Sequence, residues 1–138
     1  MVGYSGTPLA TKLGIKEGAR VALLGAPAGF DTVLAPLPAG VRILHRLGPD
    51  LDVALLFVTE RRALARRFPA VAGSITPAGG CWVAWPKRAS KVPTDLTEDV
   101  LREVGLPFGL VDNKVCAVTD VWSGLRFVWR RENRPAPA

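Results

Sequence analysis

Three short stretches of this chain are apolar almost without interruption: RVALLG at 20–25, VALLFV at 53–58 and CWVAWP at 81–86. A strand with one wet face alternates apolar and polar residues, so an unbroken run predicts a strand covered on both sides, as in a parallel sheet under two layers of helix. Each run stops at a residue that ends a ladder or opens a turn, namely Gly25, Thr59 and Pro86.

The covering helices are readable between the strands. Thr7-Pro8 predicts an N-cap followed by proline at the first helical position, Leu9 and Leu13 share a face, and Gly14 closes the helix. Phe30, Val33, Leu34 and Leu37 recur at i, i+3, i+4 and i+7, and Pro36 limits that helix to about two turns. Thr59 is the expected cap of a helix whose stripe is Leu64, Phe68, Val71 and Ile75. Arg61, Arg62, Arg66 and Arg67 lie largely off that stripe, and Pro69 is expected to kink or restart the helix. For the next helix Asp95 is the expected N-cap, with Glu98 as capping-box partner. Leu96, Val100, Leu101 and Val104 face inward, and Gly105 ends it.

Toward the C-terminus the period falls to two. Leu125, Phe127 and Trp129 alternate with Arg126, Val128 and Arg130, and the WSG at 122–124 is the expected reversal of a β-hairpin near the sheet edge. Residues 41–45 read as a further edge strand whose direction stays open. Only about seven residues separate it from the strand at 53, whereas a parallel crossover takes a dozen or more. The fold class is therefore α/β: a mostly parallel sheet with helices on both faces and a C-terminal antiparallel β-hairpin. One domain is expected over residues 1–131, with a flexible polar tail at 132–138.

Composition narrows the picture. With 49% hydrophobic and 22% charged residues in 138, the chain can bury one ordinary core and is not globally disordered. No apolar run approaches the roughly 20 residues that span a bilayer. The start MVGYSGTPLATKLG lacks the layout of a signal peptide, so a cytoplasmic protein with no membrane partner is expected. Cys81 and Cys116 lie in apolar stretches and are expected to be buried reduced thiols. Two cysteines and the single His45 have no metal-ligand spacing, and His45 has no acidic or nucleophilic partner visible in sequence that would make it a general base. The net charge of +6 is unevenly placed: residues 60–91 hold seven bases and one acid, while 95–103 hold four acids and one base. An anionic partner is compatible with that polarity.

The order of strands and helices, the closing hairpin and the phrase LGIKEGARVALLGAPAG at 13–29 together resemble the class I S-adenosylmethionine-dependent methyltransferases, in a reduced Rossmann-like form running from Leu13 to Arg130. The resemblance places Gly25 and Gly29 at the first and third glycines of the cofactor loop and implies S-adenosylmethionine as cofactor. Pro27 stands at the middle glycine, Leu23 replaces an acid, and no Asp or Glu ends 41–45, where that family holds the ribose hydroxyls. The phrases GYSGTPLATKLGI, ALLFVTERRAL, WVAWPK, TDLTEDVLREVGL, LVDNKVCAV and WSGLRFV are also similar to a family of small bacterial proteins catalogued as a domain of unknown function. That second likeness implies a fold and carries no chemistry.

In a parallel α/β sheet the ligand crevice lies beyond the carboxyl ends of the strands. The residues expected on that rim are Gly25, Gly29, Thr59, Glu60 and Lys87, with Trp122 and Ser123 brought there by the hairpin. Lys87 and Lys91 are the candidate anion-binding cations, Trp122 or Trp85 the stacking surfaces, and Ser90 or Ser123 the hydrogen-bonding groups; Glu60 is placed to pair with Lys87. Against this stands a purely structural role, with solvated strand ends, core tryptophans and turn serines. The leading functional expectation is a non-catalytic or catalytically degenerate domain that binds a small anionic ligand or a partner protein at the rim. The alternatives are a methyltransferase with an atypical cofactor loop, and nucleic-acid association through the 61–67 arginines and the 87–91 cluster.

Overall fold

The computed structural model describes residues 7–134; the first six residues and the end of the expected tail, 135–138, lie outside them. Six strands, β1 (Arg20–Leu24), β2 (Arg42–Leu44), β3 (Leu51–Phe57), β4 (Ile75–Pro86), β5 (Leu110–Ala117) and β6 (Trp122–Trp129), form a sheet in the order β2-β1-β3-β4-β6-β5. The first four run parallel, and β6 is antiparallel to both β4 and β5. The sheet is the expected α/β arrangement.

The unbroken apolar runs are explained by two cores. Alternate residues Leu24, Leu56, Val83 and Trp85 meet Leu64, Phe68 and Val71 of α3 (Arg61–Ser74) and Leu101 and Val104 of α4 (Glu98–Gly105). The intervening residues Leu23, Leu55, Phe57, Trp82 and Ala84 meet Ala10 of α1 (Leu9–Lys12) and Phe30 and Leu34 of α2 (Phe30–Leu34). Trp82 is fully buried, and its indole Nε1 donates to the Leu13 carbonyl at 2.9 Å, which satisfies its one polar atom. Arg102 ties α4 to β5 through Asp112 at 3.0 Å and pairs with Glu98 and Asp99 on its own helix. Asp112 and then Glu98 hold its guanidinium above its ordinary value.

Several local expectations are corrected. The 41–45 strand is parallel to β1, and the short link to β3 is possible because β2 is only three residues long and pairs level with Arg20–Ala22. Its end therefore stands about three residues, or ~10 Å, above the start of β3 and two strand spacings away, within reach of the chain between Leu44 and Leu51. Ile75 opens β4 rather than ending α3: its backbone is extended (φ −82°, ψ 150°), and Thr76 after it, preceding Pro77, is turned away from helical backbone. The helix itself runs through Pro69 without restarting. In α2 only Phe30 and Leu34 are buried; Val33, within the helix, is 52% exposed, and Leu37, 37% exposed, lies beyond it because the helix ends at one turn. The N-cap of α1 is Pro8, one residue later than expected.

The hairpin reverses at 118–121, not at WSG, whose three residues already belong to β6. Thr119 builds the turn: its hydroxyl accepts from the Val121 and Trp122 N–H groups at 3.1 Å. Strand β6 sits one place inside the edge, which β5 forms, with a register shift between Asp112 and Lys114.

Two expectations test this packing. A Cβ at Gly105 would stand 2.6 Å from a ring carbon of the fully buried Phe127, so Gly105→Ala is expected to lower stability by about 1–3 kcal/mol in urea unfolding. Cys81 and Cys116 are free, but only Cys81 is buried as expected, Cys116 on the edge strand β5 being partly exposed; burial pushes the Cys81 thiol up from 9.0 to about 12. The unfolded thiol ionises at lower pH than the folded one, so stability falls as pH rises across that interval. Cys81→Ala is expected to flatten this fall in pH-dependent denaturation, whereas an unchanged profile would contradict the burial.

Candidate functional site

Parallel pairing decides which loops can meet. Gly25 follows Leu24, which is level with Leu56 and, through β3, with Val83, so the loops after β1, β3 and β4 leave the same end of the sheet. Beyond β4, Pro86 pairs with Trp122 and the Lys87 N–H donates to the Val121 carbonyl at 2.7 Å, which brings the hairpin turn to that rim.

The nine expected site residues reach the rim but do not converge on one point, because neighbouring strand residues face opposite sides. Trp122 lies on the α1/α2 side, edge-on to Phe57 at a centroid distance of 5.1 Å. Gly25 and Gly29 bound the loop that leads into α2 on that side. Trp85 and its partner Ser123 lie on the α3/α4 side. Thr59 and Glu60 start α3, where Glu60 is the N-cap; among the described residues no ion pair joins Glu60 to Lys87. The Ser90 hydroxyl is spent locally, donating to Lys87 O at 2.6 Å and accepting from Val92 N at 3.2 Å.

A cavity of about 510 Å³ opens where β4 ends, between Trp85, Pro86 and the segment 88–98. Its apolar lining is Val92 and Pro93 with the buried Trp85 and Leu96 behind them, and its charged lining includes Arg88 and Lys91. Asp95 and Glu98 also line it, yet both are engaged outward. Asp95 Oδ1 accepts from the Arg61 N–H at 2.7 Å, and Glu98 holds Arg102. Among the described residues no ion pair involves Lys87, Arg88 or Lys91, so Arg88 and Lys91 line the cavity as unpaired cations beside the carboxylates of Asp95 and Glu98. Lys91 has φ 61°, a left-handed conformation that is unfavourable for a residue with a Cβ.

The Asp95 contact also corrects the expected capping. Asp95 serves the first turn of α3 rather than its own helix, and Thr97 caps α4, accepting from the Val100 N–H at 3.2 Å. Thr94 adds a second tie, its hydroxyl donating to Thr59 O at 2.5 Å and accepting from Leu96 N at 3.0 Å. Sequence spacing alone points a capping aspartate at the nearest downstream helix, which is why this role was missed. Two further arrangements were not visible in the sequence. His45 has an acidic partner after all, with Nε2 2.8 Å from Asp31 Oδ2 on α2, both exposed. Arg67 extends to within 3.9 Å of where a Gly25 Cβ would stand. The 61–67 arginines are not a uniform free stripe, since Arg61 pairs with Glu103 at 2.8 Å. Among the described residues no group of three or more His, Cys, Asp or Glu could hold a metal ion, and no helix is long and apolar enough to cross a membrane.

No protein-family model and no curated protein matches the sequence. Solved structures do match. A SAM-dependent methyltransferase from Aquifex aeolicus is 15% identical, with 86% of each chain covered and a TM-score of 0.62. The fibrillarin pre-rRNA processing protein of Methanococcus jannaschii is 12% identical over 92% of this chain and 70% of its own, with a TM-score of 0.58. Aeropyrum pernix fibrillarin, in complex with natively bound S-adenosyl-L-methionine, is 15% identical over 91% and 70%, with a TM-score of 0.56. The chain thus has a methyltransferase-like, Rossmann-like fold.

The residues present do not fit S-adenosylmethionine held as the resemblance implies. The backbone of Gly25 is left-handed (φ 71°), and a Cβ there would lie 3.1 Å from Phe57 O, so the chain's own packing already requires that glycine. Pro27 has no N–H to offer, and β2 ends at Leu44, followed by His45 rather than an acid.

Removing the Asp95 carboxylate tests the brace around the cavity. Asp95→Ala is expected to lower stability by about 1 kcal/mol in chemical denaturation and to speed amide exchange at Arg61. An unchanged Arg61 exchange rate would show that the N–H finds no stabilisation in Asp95.

Proposed function

We propose that the protein is a binding domain on a methyltransferase-like fold that takes a small anionic molecule with a planar or apolar portion at the carboxyl rim, without catalysing its transformation. The observation that carries this reading is the ~510 Å³ cavity at the end of β4, lined by Arg88 and Lys91 without an ion-pair partner among the described residues and by the apolar Val92 and Pro93, while of its two carboxylates Glu98 is paired with Arg102 and Asp95 accepts from the Arg61 N–H. Its size is that of a small-molecule site. Free cations can receive an anionic group, and Val92 and Pro93 provide apolar area, Trp85 being 8% exposed and packed into the core behind them.

The lining groups support binding over catalysis. A general acid or base must be free to exchange a proton with the ligand. Here Asp95 is fixed to a backbone N–H, Glu98 to Arg102, Thr94 to Thr59 and Thr97 to the first turn of α4. The left-handed Lys91 fits the same reading, since strained backbone at a cavity wall holds a side chain where a relaxed turn would not.

A thermal-shift and calorimetric screen of nucleotides, phosphorylated metabolites and S-adenosylhomocysteine tests the proposal. A phosphorylated or nucleotide ligand is expected to bind and to lose about tenfold in affinity in Arg88→Gln. Lys91→Gly is expected to weaken the same ligand while leaving stability unchanged or up to about 1 kcal/mol higher, because glycine relieves the left-handed strain. Absence of binding across the screen at millimolar concentration overturns the proposal. Binding of S-adenosylhomocysteine that is lost in Gly29→Val but kept in Arg88→Gln replaces it with methyl transfer at the β1 loop.

A further inference from the structure

The amino-terminal end of the sheet, opposite the rim, holds a second arrangement that the fold alone does not require. A cavity of about 380 Å³ lies there between the loop 14–19 that leads into β1, Asp52 at the start of β3, Thr76 to Gly79 at the start of β4, and Arg126 of β6. Arg126 stands opposite Trp82 in the β4–β6 pairing and lies across Gly80. A Cβ at Gly80 would come within 2.5 to 2.8 Å of its Nε, Cζ and Nη2 atoms. At Gly79 a Cβ would stand 2.9 Å from Leu51 O and from Thr76 Oγ1. Gly80 therefore leaves the bare backbone on which the guanidinium rests, while Gly79 is required by its close approach to the backbone of β3.

That guanidinium is half-buried and poorly matched. It carries five N–H donors, yet the acceptor found for it is Asn113 Oδ1, at 3.4 Å from Nη1. No ion pair among the described residues includes it. The nearby carboxylate Asp52 is directed to a backbone group, its Oδ2 accepting from the Arg20 N–H at 2.9 Å. Burial pulls Arg126 below its ordinary value, the mark of a cation removed from water without a counter-charge. Partly burying a charge costs free energy unless something of opposite sign meets it.

We propose that this cavity is a second binding site, for a small molecule bearing one carboxylate or phosphate group, with Arg126 as the fork that receives the oxyanion. Planar guanidinium matches both groups through paired N–H donors. Lys16 at the cavity wall adds a further cation, and Glu17 and Asp52, which also line it, disfavour polyanions such as nucleotides. The site is independent of the one at the carboxyl rim.

The test is a titration of the full chain with inorganic phosphate and, separately, acetate, followed by ¹⁵N NMR at the Arg126 Nε–Hε signal and the amides of Ala19, Gly79 and Gly80. Saturable shifts with phosphate assign a phosphate-bearing ligand, and with acetate a carboxylate-bearing one. Either is expected to weaken at least tenfold in Arg126→Lys, which keeps the charge and loses the fork, and in Arg126→Gln, and to persist in Lys87→Gln at the opposite end. The proposal is overturned if neither anion shifts these signals in the wild-type chain, or if the shifts survive in a folded Arg126→Lys protein.

Discussion

Strand β4 is hydrogen-bonded to a parallel neighbour on one side and an antiparallel one on the other, and the rest of the molecule is arranged around that change of direction. Every side chain from Cys81 to Pro86 is buried, because the strand lies between two helical layers and inside both sheet edges. An antiparallel β6 returns from the rim at which β4 arrives, so the turn at 118–121 and the β4 exit are held together by backbone hydrogen bonds. The same antiparallel pairing sets Arg126 across Gly80 at the far end. Both candidate sites thus depend on one register.

That register also keeps the sites chemically separate. At the rim the walls include Val92, Pro93 and two long cations, Arg88 on a short 3-10 turn (Arg88–Ser90) and Lys91 just after it, whose hydrogen bonds are local. At the opposite end the floor is glycine backbone and the cation is laid flat by the sheet. Long exposed lysines and arginines bind through charge and lose much rotamer entropy when ordered, whereas a guanidinium already confined has less left to lose.

Much of the architecture was legible in the sequence for a specific reason: strands buried on both faces lose their alternation, and three such runs require helices above and below. The amphipathic stripes of Leu64, Phe68 and Val71, and of Leu101 and Val104, were legible because a 3.6-residue period survives any tertiary context. What could not be read were choices made by distant partners. Asp95 has the composition of a cap for the helix that follows it, and only the folded chain brings Arg61 N closer. The direction of β2 depended on how little of β1 it pairs with, a length that the 41–45 stretch, with Arg42 and His45 in it, did not reveal. Of the site, the rim was legible because strand ends in a parallel sheet share one side. The division of its residues between two faces was not, and neither were the pairing of His45 with Asp31 nor the resting place of Arg126, which depend on side-chain contacts between elements far apart in sequence.

The two margins of the sheet carry a last consequence. One is β2, three residues long; the other is β5, interrupted at Asn113 and carrying an exposed Lys114 whose ammonium donates to Lys12 O. A free strand of another molecule needs several consecutive open amides to dock, and a desolvated ammonium in the groove repels it. Neither margin is a template for recruiting extended chain, so a protein with half its residues apolar is guarded at its borders against fibril-like self-association.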